Sequence, residues 1–212
     1  MLGTTSILKS ALKHGTGVRR IVLTSSVAAV REEDPTLREY DVTSWNKAAI
    51  TEVASKGSAA GPVKIYSASK TLAERAAWKF VIENKAELAW DLVVINPPWI
   101  FGVRRLSFPS LTSHPRTNFC RLAPTHVQPS LSPAPTVDDI NTSQREIYDT
   151  LLGARTGAQS RGQSSWVHVT VAADAHVRAT HAAAAAGKRI VICSGHFFYQ
   201  DIRESLLFPP PE

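Results

Sequence analysis

Two apolar runs, each the length of one β-strand, constrain the fold of this chain most strongly. Residues 18–26 read VRRIVLTSS and residues 90–102 read WDLVVINPPWIFG, and the centre of each run is almost continuously apolar. Strands of this kind are typical of parallel sheets that are covered on both faces. Helical patterns precede the two runs, at residues 4–15 and 67–85. The order helix, strand, helix, strand predicts an α/β fold with a parallel sheet and flanking helices.

A second set of elements is predicted towards the end of the chain. Residues 31–62, which lie between the first predicted strand and the helix at residues 67–85, are polar and predict irregular structure. The later helices are expected at residues 143–154, 172–187 and 199–208, and the later strands at residues 164–171 and 188–195.

The stretch from residue 103 to residue 136 differs in composition from the rest of the chain. It holds six of the 13 prolines and no Asp or Glu, and it has no apolar period. A structureless insert of this length is unusual inside a compact domain. We predict that it is disordered or poorly packed, and that it derives from a translated intron or an error in the gene model.

Composition excludes several classes of function. The net charge of +6 owes four of its charges to arginines of residues 103–136, and no Lys/Arg cluster is interleaved with aromatic residues, so nucleic acid is not an expected partner. No apolar run approaches the roughly 20 residues of a membrane helix. The seven histidines and two cysteines show no metal-ligand spacing, so no metal is expected. Two cysteines are too few for a disulfide framework, and we expect a cytoplasmic location.

The sequence YSASK at residues 66–70 is the first candidate for chemistry. Tyr66 and Lys70 are four residues apart, so on a helix both side chains project from one face. A tyrosine hydroxyl can donate a proton, and a nearby ammonium favours the ionised form that remains. Taken by itself, the pair is explained equally well as a surface tyrosine beside a solvated lysine.

Hydroxyl side chains end the first predicted strand, where Thr24, Ser25 and Ser26 follow one another. In open parallel sheets, ligands bind at the carboxyl ends of the strands. A serine at such a place can donate a hydrogen bond to a substrate carbonyl oxygen. We select Ser26, which is the last hydroxyl before Val27, and keep Ser25 as the second choice. The alternative is a hydroxyl that only caps the end of the strand.

Three blocks in this order resemble the extended short-chain dehydrogenase/reductase family, within the NAD-dependent epimerase/dehydratase superfamily. They are RRIVLTSSVAAV, YSASKTLAERAAWKF and DLVVINPPWIFG. The similarity is to the branch of fungal ketone and aldehyde reductases, which is related to plant dihydroflavonol and cinnamoyl-CoA reductases. It extends to the later segments INTSQREIYDTLLGA and GKRIVICSGHFFYQDI.

The resemblance implies reduction of an aldehyde or ketone to an alcohol, with hydride from a nicotinamide cofactor. Tyr66 would give the proton, Lys70 would contact the nicotinamide ribose, and Ser26 would hold the carbonyl. The implied cofactor-binding residues are Thr24, Ser25, Tyr66, Lys70, Pro97 and Ile100. The resemblance favours NADP(H) over NAD(H) and a small carbonyl substrate, whose identity the sequence leaves open.

The same resemblance divides the chain into three parts. Residues 1–102 would be the C-terminal portion of a Rossmann-like NAD(P)-binding domain, residues 103–136 the insert, and residues 137–212 a substrate-side part with the last strand and helix. Family members begin with a strand and a Gly-rich turn that cradles the cofactor pyrophosphate. No such turn is found here. We therefore expect an incomplete sheet, truncated at its start, and weak or absent activity.

Two alternatives to the enzyme remain at this point. An incomplete sheet has an open edge, and an open edge favours pairing with another chain. The first alternative is thus a non-catalytic fragment that pairs with a full-length relative. The second is an erroneous gene model.

Overall fold

A computed structural model describes residues 2–32, 39–102, 142–152 and 163–202 of the chain. The helices are α1 (Leu2–His14), α2 (Lys47–Lys56), α3 (Pro62–Glu83), α4 (Thr142–Leu151) and α5 (Val169–His181). The strands are β1 (Arg20–Thr24), β2 (Asp91–Asn96), β3 (Trp99–Phe101), β4 (Gln163–His168), β5 (Arg189–Val191) and β6 (Gly195–Phe198). The predicted insert at residues 103–136 lies outside the described residues, as does the end of the predicted last helix.

The chain divides into two compact units. The first comprises Met1–Pro98 with Val171–Cys193, and the second comprises Trp99–Thr170 with Ser194–Glu212. The first unit thus contains the sheet strands β1, β2 and β5, and the second contains β3, β4 and β6. The three-part division drawn from the sequence stays a prediction.

The first unit is built on a parallel sheet with the strand order β1-β2-β5. Ile21 of β1 aligns with Leu92 of β2, and Ile95 of β2 aligns with Ile190 of β5. The central strand β2 is buried from Leu92 to Asn96, as its continuous apolar run predicts. The predicted α/β class, with a parallel sheet between helices, is therefore confirmed.

Alternate side chains of β2 pack in two different hydrophobic cores, one on each face of the sheet. Leu92 and Val94 pack with Leu8 of α1 and Phe80 of α3. Val93 and Ile95, on the other face, pack with alanines of α5 and of the turn after it, Ala179 and Ala185. A strand places successive side chains on opposite faces, so this central strand needs apolar residues at every position.

The second unit has its own mixed sheet and core. Strand β3 pairs with β4 in parallel, and β4 pairs with β6 in antiparallel orientation. Its core consists of Phe101, Ile147, Phe197, Tyr199 and Ile202. The Tyr199 hydroxyl donates a hydrogen bond to Glu146 Oε2 at 2.7 Å.

Helix α2 lies in a region for which the sequence predicted irregular structure. Asn46 caps its start, because the Asn46 Oδ1 accepts a hydrogen bond from the Ala49 N–H at 3.0 Å. Only Ala49 of this helix is buried, so α2 has no broad apolar stripe that a periodicity argument could detect.

Two boundaries near the end of the chain also differ from the prediction. The strand expected to reach residue 171 ends at His168, and α5 begins at Val169. The strand β6, which pairs with β4, was not predicted. The β-branched residues Val169 and Val171 favour a strand locally, and the tertiary fold overrides that preference.

Candidate active site

The end of β1 is joined to the end of β2 by backbone hydrogen bonds. The Ser25 N–H donates to the Ile95 carbonyl at 2.8 Å, and the Val27 N–H donates to the Pro97 carbonyl at 3.0 Å. We call residues 25–29 the serine loop. Pro97 thus supports this loop through its backbone, and its predicted place in a cofactor pocket stays a prediction.

The hydroxyl groups of Ser25 and Ser26 have different partners, and both side chains are buried. The Ser25 Oγ donates to Glu74 Oε2 at 2.6 Å, since a carboxylate can only accept. The Ser26 Oγ instead accepts from the Ala28 N–H at 3.1 Å and caps a single 3-10 turn. Within the described residues, the Ser26 hydroxyl hydrogen has no acceptor. Ser26, rather than Ser25, therefore keeps a hydrogen that can be donated to a ligand.

Thr24 is exposed at the end of β1 and interacts with helix α5. Its Oγ1 lies 2.9 Å from Nε2 of His176, and Nδ1 of His176 lies 2.7 Å from the Ala172 carbonyl. The carbonyl can only accept, so Nδ1 carries the hydrogen and, in the neutral imidazole, the Thr24 hydroxyl donates to Nε2. The proposed cofactor role of Thr24 stays a prediction.

Helix α3 carries the YSASK sequence in its second and third turns. The helix starts with Pro62, directly after Gly61, whose φ of 84° is a backbone conformation that favours glycine. Tyr66 and Lys70 lie one turn apart, as their spacing predicts, with the Lys70 Nζ 6.0 Å from the centre of the tyrosine ring. Tyr66 is 49% exposed, whereas Ser67 and Ala68 are buried, so the pair faces outwards.

Helix α3 also contacts the serine loop. The 3-10 turn Val27–Ala29, which Ser26 caps, packs against α3. Ser26, Tyr66 and Lys70 therefore belong to neighbouring elements of the first unit. Ile100 lies in β3 of the second unit and is 39% exposed, and its predicted cofactor role stays a prediction.

Glu74 is the residue of this region that sequence reasoning missed. It lies on α3 and is 1% exposed. Its Oε2 accepts from the Ser25 hydroxyl and, at 2.8 Å, from the Asn96 side-chain amide. Its Oε1 accepts from Arg189 Nε at 2.5 Å and from Trp78 Nε1 at 3.4 Å. The carboxylate thus joins α3 to the serine loop, β2 and β5.

Arg189 pairs with Glu74 and also binds three backbone carbonyl groups. Its guanidinium donates to the carbonyls of Ala29, Val42 and Ser44. The guanidinium carbon lies 3.9 Å from the centre of the Trp45 ring, a stacking contact that the planar group favours. The ion pair is almost wholly buried, at 7% and 0% side-chain exposure.

Asn96, the last residue of β2, connects the same carboxylate to the loop backbone. Its amide donates to the Ser26 carbonyl at 3.0 Å and to Glu74 Oε2 at 2.8 Å. Both partners can only accept, so the NH₂ orientation of this amide is determined.

Comparisons with known proteins identify relatives of this chain. Ketoreductase azaE of Aspergillus niger is 32% identical over 212 residues, which are 99% of this chain and 53% of that protein. The NADPH-dependent methylglyoxal reductase GRE2 of Saccharomyces cerevisiae is 29% identical over 209 residues, which are 96% of this chain and 52% of that protein. This chain is a homologue of the extended short-chain reductases.

The fold comparison leads to the same family. The crystal structure of yeast methylglyoxal/isovaleraldehyde reductase Gre2 complexed with NADPH matches with a TM-score of 0.67 and 26% sequence identity, over 94% of this chain and 50% of that chain. No family model matches the chain. The chain spans about half the length of the curated relatives that it matches. These relatives are oxidoreductases of the short-chain reductase type, as the sequence blocks predicted.

The described part of the chain has neither a metal site nor a membrane-spanning helix. It contains no group of three or more His, Cys, Asp or Glu side chains arranged to hold a metal ion. None of its helices is both long enough and apolar enough to cross a membrane.

Proposed function

We propose that the face formed by Ser26, Tyr66 and Lys70 reduces the carbonyl group of a small aldehyde or ketone, with NADPH as the hydride donor. The observation that carries the proposal is an exposed Tyr66 beside a partly exposed Lys70 on α3, a helix that packs against the turn capped by Ser26, whose hydroxyl hydrogen is available. The names of the yeast relatives, which specify NADPH, support the choice of cofactor.

The described residues fit the nicotinamide-ribose end of such a cofactor. Lys70 has no acidic partner within the described residues, so its ammonium is open to a hydroxyl oxygen of a ligand. Tyr66 is exposed and Lys70 partly exposed, so both polar groups can be reached by a ligand. When bound, the cofactor supplies a hydride to the carbonyl carbon.

The side chains of this chain would handle the oxygen of the substrate. The Ser26 hydroxyl would donate a hydrogen bond to the carbonyl oxygen and favour the charge that develops there. The Tyr66 hydroxyl would give that oxygen its proton, so that the carbonyl becomes an alcohol as the nicotinamide is oxidised. Lys70 would stabilise the phenolate that remains on Tyr66.

Two binding measurements test the proposal on the 212-residue chain. The melting temperature should rise when NADPH is added in excess, because a ligand that binds the native state stabilises it. The rise with NADH at the same concentration should be smaller. We expect the affinity and the turnover of this chain to be low, since the sequence lacks a Gly-rich turn for the pyrophosphate.

Turnover is measured from the loss of NADPH absorbance after addition of methylglyoxal or another small aldehyde. A chain that shows neither a thermal shift nor a loss of absorbance is not a reductase. A thermal shift without turnover would retain cofactor binding and reject the catalytic roles of Ser26 and Tyr66.

A second candidate function rests on the edge of the sheet. Within the described residues, β1 has a neighbouring strand on one side only, although Ile21, Val22 and Leu23 are partly buried. The chain would then pair through this edge with a longer relative and have no activity itself. Sedimentation of an equimolar mixture with the Aspergillus niger ketoreductase tests this: two separate boundaries reject pairing, and a single faster boundary supports it.

A further inference from the structure

Four polar side chains of the first unit hold the serine loop. One is Asn46, the cap of α2, whose amide donates to the Ala28 carbonyl at 3.0 Å. The other three are connected to one another. Glu74 of α3 accepts from the Ser25 hydroxyl, Asn96 of β2 donates to the Ser26 carbonyl, and Arg189 of β5 donates to the Ala29 carbonyl. Asn96 and Arg189 also donate to the Glu74 carboxylate. The Glu74 carboxylate therefore connects three of the four side chains that support the loop.

The surroundings of Glu74 require a group that only accepts hydrogen bonds. Oε1 faces the N–H groups of Arg189 and Trp78, and Oε2 faces the Ser25 hydroxyl and the Asn96 amide. These donors match the lone pairs of two carboxylate oxygens, about four in all. A glutamine has the same shape, but its NH₂ would meet donors on whichever side it lies.

The carboxylate also decides which serine can donate to a substrate. The Ser25 hydroxyl hydrogen is directed at Glu74 Oε2, 2.6 Å away. The Ser26 hydroxyl accepts from the Ala28 N–H, and its own hydrogen is not directed at a described residue. If the carboxylate were lost, Ser25 would be released, and Asn96, which donates to the Ser26 carbonyl, would lose the acceptor that orients its amide.

We propose that Glu74 is a positioning residue for the reductase site: its buried carboxylate holds the serine loop and occupies Ser25, so that Ser26 is the hydrogen-bond donor to the substrate. This inference rests on the proposed function for its catalytic part. The holding of the loop is independent of it. The two parts therefore need separate measurements.

The activity measurement is a double-mutant cycle of Glu74→Gln and Ser26→Ala in the 212-residue chain. We expect Glu74→Gln to lower kcat for a small aldehyde by on the order of tenfold, since small misplacements of catalytic groups have effects of up to about 100-fold. Ser26→Ala should lower kcat much less in the Glu74→Gln background than in the unmodified chain, because Ser26 is already misplaced. A role in stability only would leave the effect of Ser26→Ala unchanged.

The loop measurement is amide hydrogen exchange, which needs no turnover. In Glu74→Gln, exchange should become faster at Ser25, Val27 and Ala28 relative to the amides of β2. Phe80→Leu is the matched control, because Phe80 is buried on the same helix and packs in the core on the α1 side of the sheet. Phe80→Leu should lower the melting temperature without a selective increase in amide exchange at the loop. In that background, Ser26→Ala should lower kcat as much as it does in the unmodified chain.

The possible outcomes separate this inference from the proposed function. Unchanged loop exchange, or equal effects of Ser26→Ala in both backgrounds, overturns the positioning role. If the chain has no turnover at all, the proposed function fails and exchange alone decides whether Glu74 holds the loop. Should Glu74→Gln not fold, Ser25→Ala replaces it, since it removes one bond to an intact carboxylate; unchanged exchange at residues 26–28 then overturns the inference.

Discussion

The serine loop and the outward face of α3 belong to one candidate site, yet the chain holds them in opposite ways. Ser25 and Ser26 are 6% and 9% exposed and are fixed by backbone and side-chain hydrogen bonds. Tyr66 is 49% exposed, and the described contact of its ring is an ammonium 6.0 Å away. One half of the site is thus formed by folding, whereas the other half keeps the freedom of exposed side chains.

This difference separates the expected effects of mutation. Changes in the buried half should lower the free energy of unfolding, because they leave buried polar groups without partners. Changes on the exposed face should alter turnover and leave stability almost unchanged. Substitutions in each half therefore test whether stability and turnover respond separately.

The largest expected effect is that of Arg189→Met on stability. The substitution keeps an unbranched apolar stem, removes the guanidinium, and leaves the buried Glu74 carboxylate without its cation. Loss of one partner of a buried ion pair lowers the free energy of unfolding by about 3–5 kcal/mol. Urea denaturation measures the change. Arg178→Met is the matched control, because Arg178 forms an exposed i,i+4 pair with Asp174, and such pairs contribute about 0.3–0.5 kcal/mol. Equal effects of the two substitutions would contradict the buried network.

The second prediction concerns the exposed half of the site. Tyr66→Phe removes the proposed proton donor and should lower the turnover of a small aldehyde by about 10²–10⁴-fold. Its effect on the free energy of unfolding should stay within about 0.5 kcal/mol, as for other exposed positions. Tyr40→Phe is the control, since Tyr40 donates to the Glu32 carbonyl and has no proposed catalytic role. An unchanged rate in Tyr66→Phe would reject Tyr66 as the proton donor.

The sequence predicted the exposed half better than the buried half, for a physical reason. The spacing of Tyr66 and Lys70 determines a shared helix face, and the apolar runs of β1 and β2 determine a covered parallel sheet. Such patterns depend on local periodicity. The family resemblance then supplied the order of the blocks and the expected reductase chemistry, which the relatives support.

The buried network could not be predicted in this way. Glu74 appears in the sequence as one of several charged residues on an amphipathic helix, so it is expected at the surface. Its partner Arg189 is 115 positions away and reaches it only because β5 lies beside β2. The cap of α2 by Asn46 had a local signal, but one buried alanine gave that helix too weak a pattern. Long-range polar pairs have no period that a single sequence reveals.

The third prediction compares the two neighbouring serines. Ser25→Ala removes a hydrogen bond to a carboxylate and should lower the free energy of unfolding by about 1.5–3 kcal/mol. Ser26→Ala removes the cap of a short turn and should lower it by about 1 kcal/mol. The order should reverse for turnover, where loss of the Ser26 donor is expected to have an effect of up to about 10²–10³-fold. Denaturation and aldehyde reduction of both variants decide the comparison, and a larger loss of turnover in Ser25→Ala would assign the donor to Ser25.

The smallest expected effect lies at the turn that presents the Val42 and Ser44 carbonyls to Arg189. Hydrogen bonds from the Thr43 side chain, the Thr43 N–H and the Ser44 side chain hold the pKa of the Asp41 carboxyl below its usual value. The folded state thus gains stability from the ionised Asp41 at pH values above the ordinary aspartate pKa of about 3.9. That gain is lost as the pH falls through the lower folded value.

Asp41→Asn should therefore lower the melting temperature slightly at neutral pH, and the difference from the unmodified chain should vanish in strong acid. Thermal melts between neutral pH and acid measure this difference. In a Thr43→Val background the difference should be smaller at neutral pH, because the Thr43 hydroxyl donates the shortest of these bonds, 2.7 Å to Asp41 Oδ1. A difference that is independent of pH would mean that the turn contributes through its backbone and not through the charge of Asp41. The turn would then resemble the buried half of the site, whose residues are fixed by hydrogen bonds, and not the exposed half.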